Sequence, residues 1–132
     1  MNTSTPETRS LAVRLIAQET ARDPAARPRH VCDRLRVPLA RLAGVAGYRS
    51  LLSRAVALAK AEVAALDSVQ VRDDGLIIGL DAVAADCGLV VVAQLLGLLV
   101  TFIGDPLTRQ LVADTWPEAA AEDLDGRAGR QP

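Results

Sequence analysis

The chain has almost no aromatic residues: Tyr48, Phe102 and Trp116 are the only ones in 132 positions. A core of packed rings is excluded, so Leu, Val, Ile and Ala must fill it. Histidine is nearly absent too. His30 stands alone, and no C-x-x-C pair accompanies it. Structural zinc takes four ligands, usually in two tight pairs, and no such set can be assembled. No Gly-Lys-Ser/Thr follows any glycine-containing stretch, which removes the phosphate-cradling loop. With one histidine and no elbow around a serine, no Ser-His-Asp arrangement is available. His30-Val31-Cys32-Asp33 invites nucleophilic chemistry, but on a helix positions 30 and 32 point apart. Asp73-Asp74 lacks the further oxygen ligands a cation needs and reads as a turn. No catalytic residue, cofactor or metal is expected.

The opening residues M-N-T-S-T-P-E-T-R-S contain no basic start followed by an apolar run. A secretory leader is therefore not expected. Cys32 and Cys87 then read as reduced thiols in a cytoplasmic setting, each packed as a small hydrophobe.

What the chain does have is aliphatic and helical. Half of it is apolar, and Ala, Leu and Arg dominate, which favours helix. Its length suits one domain. Residues 1–4 are expected to be disordered, 5–116 to form a single helical domain, and 117–132 to be a flexible acidic tail. Residues 22–60 carry eight arginines and Lys60 against Asp23 and Asp33, a balance of +7. Residues 61–132 carry twelve acids against Arg72, Arg109, Arg127 and Arg130, a balance of −8. Halves of opposite sign either complement each other or mark an acidic partner for the first.

Thr5-Pro6-Glu7-Thr8 reads as a helix start, with Thr5 as N-cap. Leu11, Ala12, Leu15 and Ile16 form its apolar stripe, and Asp23-Pro24 predicts its end near Arg22. A second helix is expected from Pro28 or Arg29 to Gly44. Val31, Leu35 and Leu42 mark its buried stripe with Leu39 beside them, and Pro38 bends or breaks it. A third runs from Gly47 to about Leu66 with Tyr48, Leu51, Leu52, Ala55, Ala59, Val63 and Leu66 inward. Glu62 falls on that apolar side, and is expected to reach water or pair with an arginine.

The period then switches to two. V-Q-V-R-D-D-G-L-I-I-G-L predicts a hairpin over about 69–80, turning at Asp-Asp-Gly, with Val69, Val71, Leu76, Ile78 and Leu80 on one face. After it comes G-L-V-V-V-A-Q-L-L-G-L-L-V-T-F-I-G, apolar nearly all round and capped by Asp86. It is too short for a normal membrane span and has acids beyond both ends. A helix apolar all round is buried all round. Gly104-Asp105-Pro106 ends it and opens a last helix, capped by Asp105, with Leu107, Leu111, Val112 and Trp116 inward. The predicted fold is mostly α: a small bundle of four to five helices around a central apolar helix at 89–103, with one short hairpin.

Along that central helix Ala93, Gly97 and Thr101 lie on one line, with Gln94 and Leu98 beside it. The glycine predicts close approach of a neighbouring helix. The helix also needs more cover than the remaining elements supply, so Ala93, Gln94, Gly97, Leu98 and Thr101 are expected to form helix contacts or an interface. The expected function is a non-enzymatic protein–protein interaction or regulatory module that associates with itself as a homodimer, or with another protein.

A second reading starts from residues 39–54, L-A-R-L-A-G-V-A-G-Y-R-S-L-L-S-R. Ala40, Gly44 and Val45 resemble the helix-turn-helix of lactose-repressor-type regulators. That resemblance implies DNA binding through the basic 22–60 segment, with Arg41, Arg49, Ser50 and Arg54 as contacts. Ser53-Arg54 falls two residues later than in that family. More broadly, V-C-D-R-L-R, A-G-x-x-G-Y-R-S-L-L-S-R-A, L-L-G-L-L-V-T-F-I-G-D-P-L-T and T-W-P resemble a group of short, uncharacterised helical proteins of high-GC bacteria. This resemblance spans most of residues 30–118 and implies a bacterial cytoplasmic setting without an activity.

Overall fold

The computed structural model describes residues 3–19 and 23–117. The fold is mostly α: four helices and one two-stranded hairpin. Of the expected acidic tail only Pro117 falls among the described residues.

Helix α1 spans Pro6–Gln18. Thr5 caps it as the sequence predicts: its hydroxyl accepts from the Thr8 N–H at 3.1 Å, and the Thr8 hydroxyl accepts from the Thr5 N–H at 2.7 Å. This reciprocal box satisfies two N–H groups that a helix start leaves orphaned. The helix stops at Gln18, short of the expected Arg22, because Glu19 turns extended at ψ 140°. Ala12 and Leu15 are fully buried, with Leu11 and Ile16 packed at the edge.

Helix α2, Arg27–Glu62, is one long element with a sharp break inside it. The break lies at Gly44 (φ 79°, ψ 166°), not at Pro38. That backbone region is open almost solely to glycine. Pro38 leaves its helical neighbours intact. The break divides α2 into arms of residues 27–43 and 45–62. Val31, Cys32, Leu35 and Leu39 are buried in the first, and Tyr48, Leu52, Ala55, Val56 and Ala59 in the second. Leu42, expected inside, is 52% exposed. Residues 41–46 are all exposed, so the first arm overshoots its cover before it turns. The Tyr48 hydroxyl donates to the Cys32 carbonyl at 3.1 Å and ties the arms together.

Strands β1 (Gln70–Val71) and β2 (Ile77–Ile78) pair antiparallel, Val71 opposite Ile77. The Gly75 N–H donates to the Arg72 carbonyl at 2.9 Å, and Gly75 takes φ 85°. This is a three-residue loop with glycine in the left-handed position. Its odd length places Ile77, not Ile78, on the buried face with Val69 and Val71. Leu76 and Ile78 are 37% and 48% exposed, which corrects the expected face. A 3-10 turn at Leu80–Ala82 follows.

Helix α3, Ala85–Ile103, begins before the expected Leu89. Ala84 occupies its N-cap position without a side-chain capping bond, and Asp86 sits inside its first turn. It has the length and composition of a membrane-crossing helix, yet it contacts α1, α2 and α4, and every residue from 90 to 99 is buried in the chain's own core. Helix α4, Asp105–Thr115, is capped by Gly104 at φ 87° rather than by Asp105. Thr108, not Leu107, joins Leu111, Val112 and Trp116 inside; Leu107 is 44% exposed.

Candidate interaction surface

Four of the five α3 residues singled out by sequence are interior. Ala93, Gln94, Gly97 and Leu98 are buried by the chain itself, and only Thr101 is exposed. They make contacts within the fold and present no free face to a second chain. The close approach predicted at Gly97 is real, but its occupant is not a helix. A methyl at Gly97 would stand 2.0 Å from the Thr3 carbonyl oxygen. Thr3 hydrogen-bonds Gln94 from its N–H (3.1 Å) and its hydroxyl (2.7 Å). Within the stretch 1–4 expected to be disordered, Thr3 lies against α3, and residues 1–2 lie outside the described residues. Gln94 Nε2 in turn donates to Glu62 at 3.3 Å, and Glu62 pairs with Arg9. Glu62 therefore pairs with an arginine, as the sequence suggested. Thr101 returns its hydroxyl to the Gly97 carbonyl at 3.0 Å.

Cys32 is buried beside Tyr48. Burial, with Asp33 nearby, pushes its thiol up to about 12, so it stays protonated and is a poor nucleophile. Burial also raises the Tyr48 phenol. Among the described residues no group of three His, Cys, Asp or Glu is placed to hold a metal. A recess of about 300 Å³ lies between the start of α1 and the α3–α4 corner, lined in part by Thr5, Glu7, Thr101, Asp105 and Arg109. Asp105 and Arg109 there pair with each other at 2.8 Å.

Exposed large apolar side chains occur on several elements, among them Val13, Ile78, Phe102 and Leu107, and three fall near the corner of α2. Val37, Leu42 and Val45 are 57%, 52% and 52% exposed. Between Asp33 and Glu62 the sequence has no acid, only Arg34, Arg36, Arg41, Arg49, Arg54 and Lys60. Arg34 is held by Glu19, and Arg36 donates to the Asp74 carbonyl at 2.8 Å. Arg49 lies 3.6 Å from the exposed carboxylate of Asp73, a weak pair. Arg41 and Arg54 make no ion pair or hydrogen bond with the described residues, and both are exposed, as are Arg49 and Ser50. The corner of α2 thus carries exposed apolar and exposed cationic side chains with no acid between Asp33 and Glu62.

The four residues expected to contact DNA, Arg41, Arg49, Ser50 and Arg54, are all exposed, but the local geometry departs from a helix-turn-helix. A single non-helical residue, Gly44, joins the arms where such a motif has a turn of three or four residues, and Val45 is exposed. One further group escaped the sequence reading. Glu19, 8% exposed, accepts from Arg34 at 2.8 Å and from the Trp116 indole at 3.0 Å, while the Arg34 guanidinium lies 4.9 Å over the Trp116 ring. Only the Asp23-Pro24 stop beside it hinted at a fixed position. No protein-family model matches this chain, and no curated protein or solved structure matches it significantly.

Proposed function

We propose that this chain is a non-enzymatic protein-interaction module that associates with itself, and that the corner of α2 supplies the surface. One observation carries the reading: three large aliphatic side chains stand half exposed within nine residues, Val37 to Val45. Single exposed apolar residues are normal on any surface; three so close together in sequence, on either side of a helix break and among cationic residues, make this corner the candidate contact site. The reading moves the expected interface from α3, which the chain covers by itself, to α2. It includes a cytoplasmic setting, supported by the free thiols of Cys32 and Cys87. Exchanging Leu42 and Val45 for serine should turn a dimer into a monomer without unfolding, because both side chains already face solvent. A wild type that is monomeric at high micromolar concentration would reject the reading.

One observation favours DNA as the partner instead. Arg41 and Arg54 are exposed and unpaired among the described residues, within an acid-free run. Fluorescence anisotropy with a random-sequence duplex at low salt tests this. Binding would have to weaken steeply with salt and with Arg41→Ala/Arg54→Ala. No binding at low salt removes it.

A further inference from the structure

Gly44 joins two pieces of the fold. Before it stand α1 and the first arm of α2; after it stand the second arm, the hairpin, α3 and α4. The contacts that close the fold run between these pieces. Thr3 donates to Gln94 at 3.1 Å, Arg29 to Asp81 at 2.9 Å, and the Trp116 indole to Glu19 at 3.0 Å. Helix α1 also packs on α3. The Tyr48 hydroxyl on the Cys32 carbonyl folds the arms back on one another. None of these contacts requires that both pieces belong to the same copy of the chain.

The joint is short and strained. Gly44 (φ 79°, ψ 166°) is the one non-helical residue inside α2, and it sits at the middle of Arg27–Glu62. That backbone region is costly even where glycine allows it. A short hinge under strain invites two copies to exchange pieces. Were Gly44 helical, α2 would be one continuous rod. Leu42 and Val45, each 52% exposed, would then be neighbours on one face, three residues apart. With Pro38 they would make an i, i+4, i+7 apolar seam. The seam falls at the centre of the rod, where two such rods lying antiparallel would meet. Residues 41–46, all exposed in the single chain, lie at that meeting point.

We propose that two copies associate by exchanging these pieces. Gly44 becomes helical, α2 straightens, and α1 with the first arm of each chain packs on the second arm, α3 and α4 of the other. This rests on the reading of the corner as the self-association surface, and says how the corner joins two copies. Contacts broken on opening are remade between the chains, so they cancel in the balance. What remains is the strain released at Gly44 and the new seam at Leu42 and Val45. These oppose the freedom lost when two chains join.

The test refolds equal amounts of isotope-labelled and unlabelled full-length chains together. Isotope-filtered NMR then reads which contacts run between chains, and light scattering gives the mass of the same samples. The expected result is a dimer in which the Trp116 ring of one chain meets the Glu19 side chain of the other. A dimer in which Trp116 and Glu19 meet only within one chain overturns the exchange and leaves the corner as an ordinary surface contact. A wild type that is monomeric at high micromolar concentration overturns both. Two variants act on the hinge itself. Gly44→Ala keeps the bend only under strain but suits a continuous helix, and nothing lies within 4 Å of the added methyl. It should lower the dimer dissociation constant by roughly tenfold or more. A flexible Gly-Ser-Gly-Ser segment inserted after Gly44 relaxes the bend and should leave single chains. A dimer that Gly44→Ala weakens or leaves unchanged, or that survives the insertion, overturns the proposal. Should Gly44→Ala not fold, the insertion and the filtered spectra decide. Below the dimerisation range the bent chain prevails, and there Gly44→Ala costs stability.

Discussion

Gly97 and Cys32 show what single side chains do here. Alanine normally stabilises a helix interior by up to about 1 kcal/mol over glycine. At Gly97 the added methyl meets the Thr3 carbonyl at 2.0 Å, so the segment must lift and surrender its bonds to Gln94. With about 1 kcal/mol at stake per hydrogen bond, Gly97→Ala should lower stability by roughly 1–2 kcal/mol in urea denaturation. A stabilising Gly97→Ala would show that Thr3 does not hold its place. Cys32 answers to pH. Its folded thiol keeps its proton to about 12, against 9.0 for an ordinary one. Above pH 9 the unfolded state therefore binds fewer protons than the folded state, and stability falls as pH rises, by up to about 1.4 kcal/mol per unit. Below pH 9 the contribution is fully present. Cys32→Ala should flatten the fall in Tm between pH 9 and 10, while Tyr48, also raised by burial, sustains a fall at higher pH. Equal slopes in both proteins would contradict the assignment. The need for a small residue at Gly97 was legible in the sequence. Its neighbour was not, because an extended segment such as Thr3–Thr5 carries no periodic signal.

At the scale of elements, the start of α1 is readable from its Thr5 cap and α3 from its long apolar run, both local signals, whereas the caps expected at Asp86 and Asp105 fall inside the first turns of α3 and α4. The errors have local causes as well. A proline inside a helix is a stronger breaker by rule than a glycine, so the break was expected at Pro38. The fold instead breaks α2 where the backbone must enter a region open to glycine, at Gly44 (φ 79°). Nothing lies within 4 Å of a methyl placed there, so the cost of Gly44→Ala is backbone strain alone. It should destabilise by about 1–3 kcal/mol. Pro38→Ala should be neutral or stabilising, since it restores a helical N–H. The opposite order in chemical denaturation would put the hinge back at Pro38. The hairpin teaches the same lesson about register. Alternation identified both strands, but the face depends on whether the loop has two residues or three, and Gly75 at φ 85° makes it three.

For the molecule as a whole, burial is collective, and sequence reports it least well. Sequence alone predicts that the oily α3 exceeds its cover, yet α1, α2, α4 and Thr3 enclose it from residue 90 to 99. The apolar surface left uncovered includes the α2 corner, where Leu42 is expected inside. Its exposure follows from the length of the first arm relative to the elements packed on it, a quantity no local pattern encodes. The basic first half was legible and remains exposed there at Arg41, Arg49 and Arg54. The central claim is that this corner joins two copies. Light scattering after size exclusion tests it most directly, over a range of concentrations and at moderate and high salt. The predicted result is a mass approaching twice 13.9 kDa for the wild type, reduced to a single chain by Leu42→Ser/Val45→Ser. A wild type that stays at one chain mass throughout, or a dimer that those substitutions leave intact, would contradict it.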